Sequence, residues 1–409
     1  MNSSTAPGRP VYLDHAATTP VDPRVAAAMA HCLTAEGEFG NPGSTSHAYG
    51  DAAATLVEAA RAQVAISVGA QPDEVVWTSG ATEANNLAIF GAAEHYRDSG
   101  RHIVTSRTEH KAVLDPCREL ERRGWRVTYL APDGGGMIDP AQVAAALQPD
   151  TVLVSIMHVN NETGVIQDIA AMAAICARHG GARLHVDAAQ SAGKRAVDFA
   201  GFGVDLMSLS AHKVYGPKGV GALLVSRRSG GKRGDAGRGA HSDAGVHLQA
   251  LQFGGRQEHG LRAGTVPTHQ VVGMGLAFEL AEAARQADAV RLESLRDRLW
   301  QGLASLGGIL RNGDAAHSVP QLLNVSFEGV EGESLLAAVR DRLAVSTGSA
   351  CTSALQEPSY VLRALGRSEA LSESSLRFGL GRGSSEQDID TALTVVKEAV
   401  SRLRRISGA

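Results

Sequence analysis

The sequence predicts an α/β protein: a large unit on a mainly parallel sheet with helices on both faces, joined to a smaller α+β unit. Three observations lead there. From residue 74 to 225 short apolar runs alternate with runs of helical spacing, the rhythm of strand–helix–strand units whose sheet is covered on both sides. After residue 270 the rhythm changes to longer helices and scattered strands. Polar residues also cluster just behind the apolar runs, where an open parallel sheet binds its ligands. The expected boundaries are 21–270 for the large unit, and 1–20 with 271–409 for the small one.

Residues 11–14 (VYLD) read as a short strand, followed by the turn-prone stretch 15–20. Pro23 sits near the start of an Ala-rich helix, where its missing N–H costs little. Residues 39–44 (FGNPGS) are a loop by composition, and 47–68 carry Ala, Leu, Val and Ile at helical spacing. Strands follow at 74–78, 102–106, 126–130, 151–157, 183–186, 206–209 and 221–225. Helices fall between them at 84–95, 111–123, 140–147 and 169–179. Residues 226–255 are Gly-rich without periodicity, the pattern of a long mobile loop. Beyond it the spacing predicts helices at 271–287 and 289–306, strands at 322–327, 344–346 and 375–379, and a closing helix at 386–406.

A chain of 409 residues can bury a large core. Its net charge of −4 gives no electrostatic case for nucleic acid or an anionic membrane. No apolar run approaches the roughly 18 residues of a membrane span. The N-terminal stretch has no charged region followed by an apolar one, so no secretory signal is expected. Cys32, Cys117, Cys176 and Cys351 lie far apart with no Cys-x-x-Cys. That spacing argues against a metal site or a disulfide framework and for a reducing, cytoplasmic compartment.

Five groups stand just past predicted strands: Ser79-Gly80-Ala81-Thr82, Glu109-His110, Asn160-Asn161, Asp187-Ala188-Ala189-Gln190 and Ser210-Ala211-His212-Lys213. Together they put a phosphate cradle, an aromatic base, amide donors, a carboxylate and an amine on one sheet edge. Lys213 ends a strand at a Gly/Pro-rich turn; partial desolvation there favours the neutral, nucleophilic amine that a Schiff base needs. Gly80-Ala81-Thr82 either offers N–H groups to an anion or is an ordinary helix cap. Asp187 is either a cap or the partner of a protonated ring nitrogen, such as pyridoxal phosphate has. His110 either stacks on a flat cofactor and moves protons or caps the next helix. Gln190, Ser210 and His212 have the groups to bond such a cofactor's phenolate and phosphate. In the last third, a loop of small residues at 346–353 carries Cys351, exposed as a nucleophile must be, whereas Cys32, Cys117 and Cys176 suit burial. Arg377 is either a clamp for a substrate carboxylate or half of a structural ion pair.

Taken in order, these motifs resemble the cysteine desulfurases of the IscS/NifS type, from about Tyr12 to Leu403. The resemblance includes Leu13-Asp14 with Ala17-Thr18-Thr19-Pro20, Gly40-Asn41-Pro42 with His47, Thr78 to Glu83, and Thr108-Glu109-His110-Lys111. It continues through His158 to Glu162, His185 to Gln190, Ser210 to Lys213, Arg262-Ala263-Gly264-Thr265, the Cys351 loop, and Arg377-Phe378 with Gly381-Arg382.

The resemblance implies a fold-type I pyridoxal phosphate enzyme working as a homodimer, with no metal. Lys213 would carry the cofactor, with His110 stacked on the ring and Asp187 at the pyridinium nitrogen. Ala81, Thr82, Ser210 and His212 would bind the phosphate, joined by Thr265 from the other subunit. Gln190 would meet the phenolate, while Asn161 and Arg377 would hold the substrate carboxylate. The implied reaction converts L-cysteine to L-alanine and leaves a persulfide on Cys351, for an iron–sulfur scaffold or another sulfur acceptor. A selenocysteine lyase or a small-amino-acid aminotransferase would share Lys213 and Asp187, and a non-catalytic partner would keep only the fold. Three departures from the family pattern stand out: Ala263 where many relatives have Ser, a longer Gly-rich stretch at 230–245, and an end at Ala409 without a long docking tail.

Overall fold

The computed structural model describes residues 8–227, 245–347 and 358–408. Most of the Gly-rich stretch expected as a loop, and Cys351 with its surroundings, lie outside the described residues. The chain opens with β1 (Val11–Tyr12), α1 (Pro23–His31) and α2 (Ala48–Ser67). Both helices have a local start signal: Asp22 accepts the Arg24 N–H ahead of Pro23, and His47 Nδ1 accepts the Gly50 N–H.

The alternating section follows as β2 (Val75–Thr78), α3 (Ala81–Tyr96), β3 (His102–Ser106), α4 (Lys111–Arg122), β4 (Arg126–Leu130) and α5 (Pro140–Ala146). It continues with β5 (Thr151–Ser155), α6 (Ile169–His179), β6 (Arg183–Asp187), α7 (Phe199–Phe202), β7 (Leu206–Ser210) and β8 (Gly221–Val225). The alternation of strand and helix ends there. The remainder is α8 (Thr268–Ala304), β9 (Ile309–Asn312), β10 (Leu322–Phe327), α9 (Gly332–Val339), β11 (Leu343–Ala344), α10 (Tyr360–Ala364), α11 (Glu369–Glu373), β12 (Ser375–Gly379) and α12 (Glu386–Ser407).

Seven strands form the main sheet in the order β2-β8-β7-β6-β5-β3-β4. The five strands from β3 to β7 pair in parallel, and β8 runs antiparallel to both its neighbours. The expected mainly parallel sheet is therefore present, with one reversed strand. Every residue of β3, β5, β7 and β8 is buried, which is why these strands read as continuous apolar runs rather than alternations. Polar residues inside them are paired across strands. His185 joins Ser155 Oγ at 2.8 Å on one side and Ser208 Oγ at 2.9 Å on the other. From β3 the chain steps outward to β4, and from β5 it steps the other way to β6 and β7. The crevice of such a sheet opens where the order reverses, at the carboxyl ends of β3 and β5.

Two apolar layers cover the sheet. One contains Val64, Phe199, Met207, Val271 and Phe278; the other contains Ile89, Ile103, Val113, Leu120 and Leu223. A separate core gathers Leu13, Leu295, Leu299, Phe327, Phe378 and Val396 around the antiparallel sheet β12-β10-β9 and the parallel pair β1-β11.

The expected helices at 271–287 and 289–306 are one continuous helix, α8, of 37 residues. Its first turns bury Phe278 and Ala281 in the first core, and its last bury Leu292, Leu295 and Leu299 in the third. No residue from 282 to 291 is buried, so the apolar period lapses where the helix crosses between cores, and that lapse imitates a helix end. The strand expected at 344–346 is shorter, ending at Ala344, with Ser346 making only an isolated bridge to Arg377. Cys32, Cys117 and Cys176 are buried, as expected.

Between β8 and α8 the chain is pinned by a buried ion pair. Glu258 takes both Arg61 Nη1 and Nη2 at 2.9 Å, and its Oε2 also accepts the Trp77 N–H at 2.7 Å. Arg61 Nη1 reaches Val75 O as well, and its guanidinium lies over the Trp77 ring. This clamp sits where Glu258 and His259 adopt left-handed φ of 47° and 58°, a strained turn that needs outside support. Glu258→Ala takes the buried carboxylate away from Arg61, leaving it only the solvent-exposed Glu58 and Val75 O, and is expected to lower the unfolding free energy by about 3 kcal/mol. Urea denaturation checks this; a loss below about 1 kcal/mol would show that the turn does not depend on the clamp.

Candidate active site

A cleft of about 500 Å³ opens at the carboxyl ends of the parallel strands. It is lined by Ala81 and Thr82, His110, Asn161, Asp187 and Gln190, and Ser210, His212 and Lys213. Nine residues predicted from five separate strand ends are thus brought together. Each is placed by its own element.

Gly80 ends β2's turn with φ of +151° and no side chain to cap α3, so the first N–H groups of α3 face the cleft without a side-chain cap. Gly is also needed opposite it: a Cβ on Gly221 would fall 2.4 Å from Leu209 O and 2.7 Å from Gly80 Cα. N–H groups at a helix start with the Thr82 hydroxyl beside them are groups that suit an anion such as phosphate.

His110 is the helix cap that one of its two readings expected, and it also lines the cleft. It caps α4, its Nδ1 accepting the Ala112 N–H at 3.1 Å, and its ring lines the cleft. Burial lowers its pKa, with the Asp187 charge acting in the opposite direction, so the ring is neutral at neutral pH. With Nδ1 accepting, the proton sits on Nε2.

Asp187 is 6 % exposed. Its Oδ1 accepts the Ala189 N–H at 2.9 Å and its Oδ2 accepts from Asn85 Nδ2 at 2.8 Å. It closes a turn and still lines the cleft. Lys213 follows β7 through the single 3₁₀ turn Ala211–Lys213. Beside it His212 Nδ1 is 3.2 Å from Thr18 Oγ1. Burial, then the charges of Lys213 and Lys218, push the His212 pKa down to about 4.

Two predicted residues lie elsewhere. Thr265 is exposed and does not line the cleft. Arg377 is 1 % exposed and stands behind Asn161: Nη1 donates to Asn161 O at 2.9 Å, and Nη2 pairs with Asp14 at 3.0 Å. The ion-pair alternative for Arg377 is therefore present in the structure. Cys351 lies outside the described residues.

Sequence reasoning passed over Thr18, Asn85 and Lys218, all of which line the cleft. Asn85 carried a signal: it stands three residues after Thr82 on α3 and so shares its face.

The cleft fits pyridoxal phosphate by an observation independent of family. Buried polar atoms on its wall, Ser210 Oγ, Asn161 Oδ1 and Asn85 Oδ1, have no partner among the described residues. Unpaired buried groups cost free energy unless a ligand takes them up. A phosphate cradle, an unpaired hydroxyl, a paired carboxylate and a lysine amine match the donor and acceptor set of that cofactor.

Under the floor of the cleft Glu109 is fully buried, its Oε1 accepting from Met157 N–H and Ser106 Oγ at 2.9 Å each. Burial above all, with the Asp187 charge adding to it, pushes its pKa from 4.5 up to about 8. The folded state therefore holds this proton more tightly than the unfolded one. Its contribution to stability is full below about pH 4.5 and is lost as the pH rises toward 8. Glu109→Gln removes the titration, so the stability of the variant relative to wild type is expected to rise steadily across that window in cofactor-free protein. Thermal melts at several pH values check this, and a flat difference would contradict it.

The sequence profile of the class-V aminotransferases matches residues 11–392. The cysteine desulfurase IscS of Pectobacterium atrosepticum is 54% identical, over 97% of this chain and 94% of its own length. Among solved structures, a NifS-like protein superposes with a TM-score of 0.85 at 33% identity, covering 96% of this chain and 99% of that one. SspA, solved in complex with cysteine, is 37% identical with a TM-score of 0.76, covering 90% and 98%. On this match the chain belongs to the class-V aminotransferase family, in its group of IscS-type cysteine desulfurases.

Proposed function

We propose that the protein is a pyridoxal-phosphate-dependent cysteine desulfurase, converting L-cysteine to L-alanine with the sulfur left on Cys351 as a persulfide for iron–sulfur cluster assembly or another sulfur acceptor. The observation that carries this is the pairing, in one cleft, of Lys213 with an Asp187 carboxylate held by two donors. When bound, the cofactor supplies an electron sink for the substrate's α- and β-carbons.

The chain's own residues supply the rest. Thr82, the first N–H groups of α3, Ser210 and His212 hold the phosphate, and Gln190 meets the phenolate. Asp187 keeps the ring nitrogen protonated, and Asn85 keeps Asp187 in place. Asn161 takes the substrate carboxylate together with Arg377, which is held next to it through Asn161 O and whose buried Nε has no partner among the described residues, the feature that supports this role. Lys213 Nζ anchors the cofactor and then moves protons at the substrate carbons, and neutral His110 gives or takes a proton at Nε2. The Cys351 thiolate attacks the substrate sulfur: an S–S bond forms as the C–S bond breaks, and the pair left on carbon is protonated to complete alanine.

The same proposal makes the enzyme a cytoplasmic homodimer that takes no nucleic acid, with a cofactor-binding unit at 21–270 and a unit of 1–20 with 271–409 bearing Cys351. Exposed Thr265, at the end of a segment clamped by Glu258, supports its donation to a second copy's phosphate. Among the described residues no helix is long and apolar enough to cross a membrane.

Cys351→Ser is expected to keep the cofactor's visible absorbance yet release neither sulfide nor alanine from L-cysteine; sulfide at the wild-type rate would contradict the assignment. His110→Ala is expected to lower kcat by about 100-fold or more, read by alanine formation, as the loss of an acid–base group does.

A further inference from the structure

A second amine stands behind the cleft wall. Lys194, half-buried after β6, donates from Nζ to Gln190 Oε1 at 3.0 Å. Gln190 is 4 % exposed, lines the cleft, and donates from Nε2 to Ala16 O at 2.8 Å. An amide held between a cationic donor and a backbone acceptor has one satisfied orientation. Turning it over would set the –NH₂ against an ammonium and the carbonyl against a carbonyl. One N–H of Gln190 is committed to Ala16, and the second remains for the cleft.

Lys194 also belongs to the electrostatics of the site. Burial first, then the charges of Lys213 and Arg377, bring its pKa down to about 7. Such coupling is mutual, so an ammonium on Lys194 disfavours positive charge on Lys213. On its other side Lys194 lines a cavity of about 30 Å³ with His15, Arg285, Asp288 and Arg382. The acid there is already engaged, Asp288 Oδ2 accepting from Arg382 Nε at 2.9 Å. Burial, with the Lys194 charge second, pushes the His15 pKa down to about 4, so His15 adds no charge at neutral pH.

We propose that Lys194 is a positioning residue for the cofactor site: its ammonium fixes the Gln190 amide with an N–H for the cleft and sets a positive charge beside Lys213. This rests on the reading of the cleft as a pyridoxal phosphate site. It goes beyond it in giving a residue off the cleft surface control over the protonation of the anchored cofactor.

The test is a pH titration of the visible absorbance of the holoenzyme without substrate. Lys194→Met is expected to raise the midpoint, by about one pH unit where the wild-type midpoint lies below about 7 and Lys194 still carries its proton, since a nearby positive charge and the donor that orients the Gln190 amide are lost together. Lys194→Arg, which keeps both, holds the midpoint near wild type. In a Gln190→Leu background Lys194→Met moves the midpoint less, because the amide it would orient is gone. Lys194→Gln, which retains a donor without the charge, is the second uncharged variant should Lys194→Met not fold, and it too must raise the midpoint. A coloured protein whose midpoint does not move in either uncharged variant overturns the inference alone, as does a Lys194→Met shift of equal size in both Gln190 backgrounds. A wild-type protein that takes up no coloured cofactor overturns both this inference and the cleft reading.

Discussion

Asp187 places a carboxylate at the end of a strand that is otherwise closed to water. Keeping that charge there requires the Asn85 amide and the Ala189 N–H as donors, because a buried ion with one partner removed is expensive. The groups around it are kept from competing. Glu109 beneath it holds its proton, and burial keeps His185 and His110 below the usual histidine range. The result is a cleft that holds the Asp187 charge together with the amine of Lys213, while the other carboxylate of the lining, Glu83, is taken up by Arg262. A bound cation that offers a ring N–H to Asp187 would relieve the remaining cost, which is why the site favours a protonated pyridine.

That arrangement is available because of the sheet. Parallel strands end on the same edge, so residues distant in sequence, from Thr82 to Lys213, meet there without long supporting loops. The reversed strand β8 lies between β2 and β7 and brings Gly221 against Gly80. The close approach shapes the start of α3 at the cleft, and it tolerates no side chain at Gly221. Beyond the sheet, α8 runs unbroken from the cleft-bearing core to the one around β10 and β12 and packs into both.

The main sheet was legible because its strands are buried on both faces and therefore spell continuous apolar runs, ending in polar groups that are costly to bury without a purpose. The helix α8 was misread because its apolar face changes sides of the molecule, a tertiary fact that no local period carries. β9 escaped notice because its residues Ile309, Leu310 and Arg311 are only half-buried and offer no contrast. Asn85 and Lys194 were overlooked for a different reason. They touch the chemistry through other side chains, Asp187 and Gln190, and such second contacts depend on how helices and turns pack rather than on which residues follow a strand. Arg377 shows the converse: its residue type and strand position suggested a clamp, and the structure adds an Asp14 partner whose side chain comes from the far end of the chain.

The central claim is that Lys213, and no other amine near the cleft, anchors the cofactor. Protein loaded with pyridoxal phosphate can be reduced with borohydride, digested, and searched by mass spectrometry for the pyridoxyl-bearing peptide. The account predicts the label on Lys213. A label on Lys218, which also lines the cleft, or on Lys194, would contradict it.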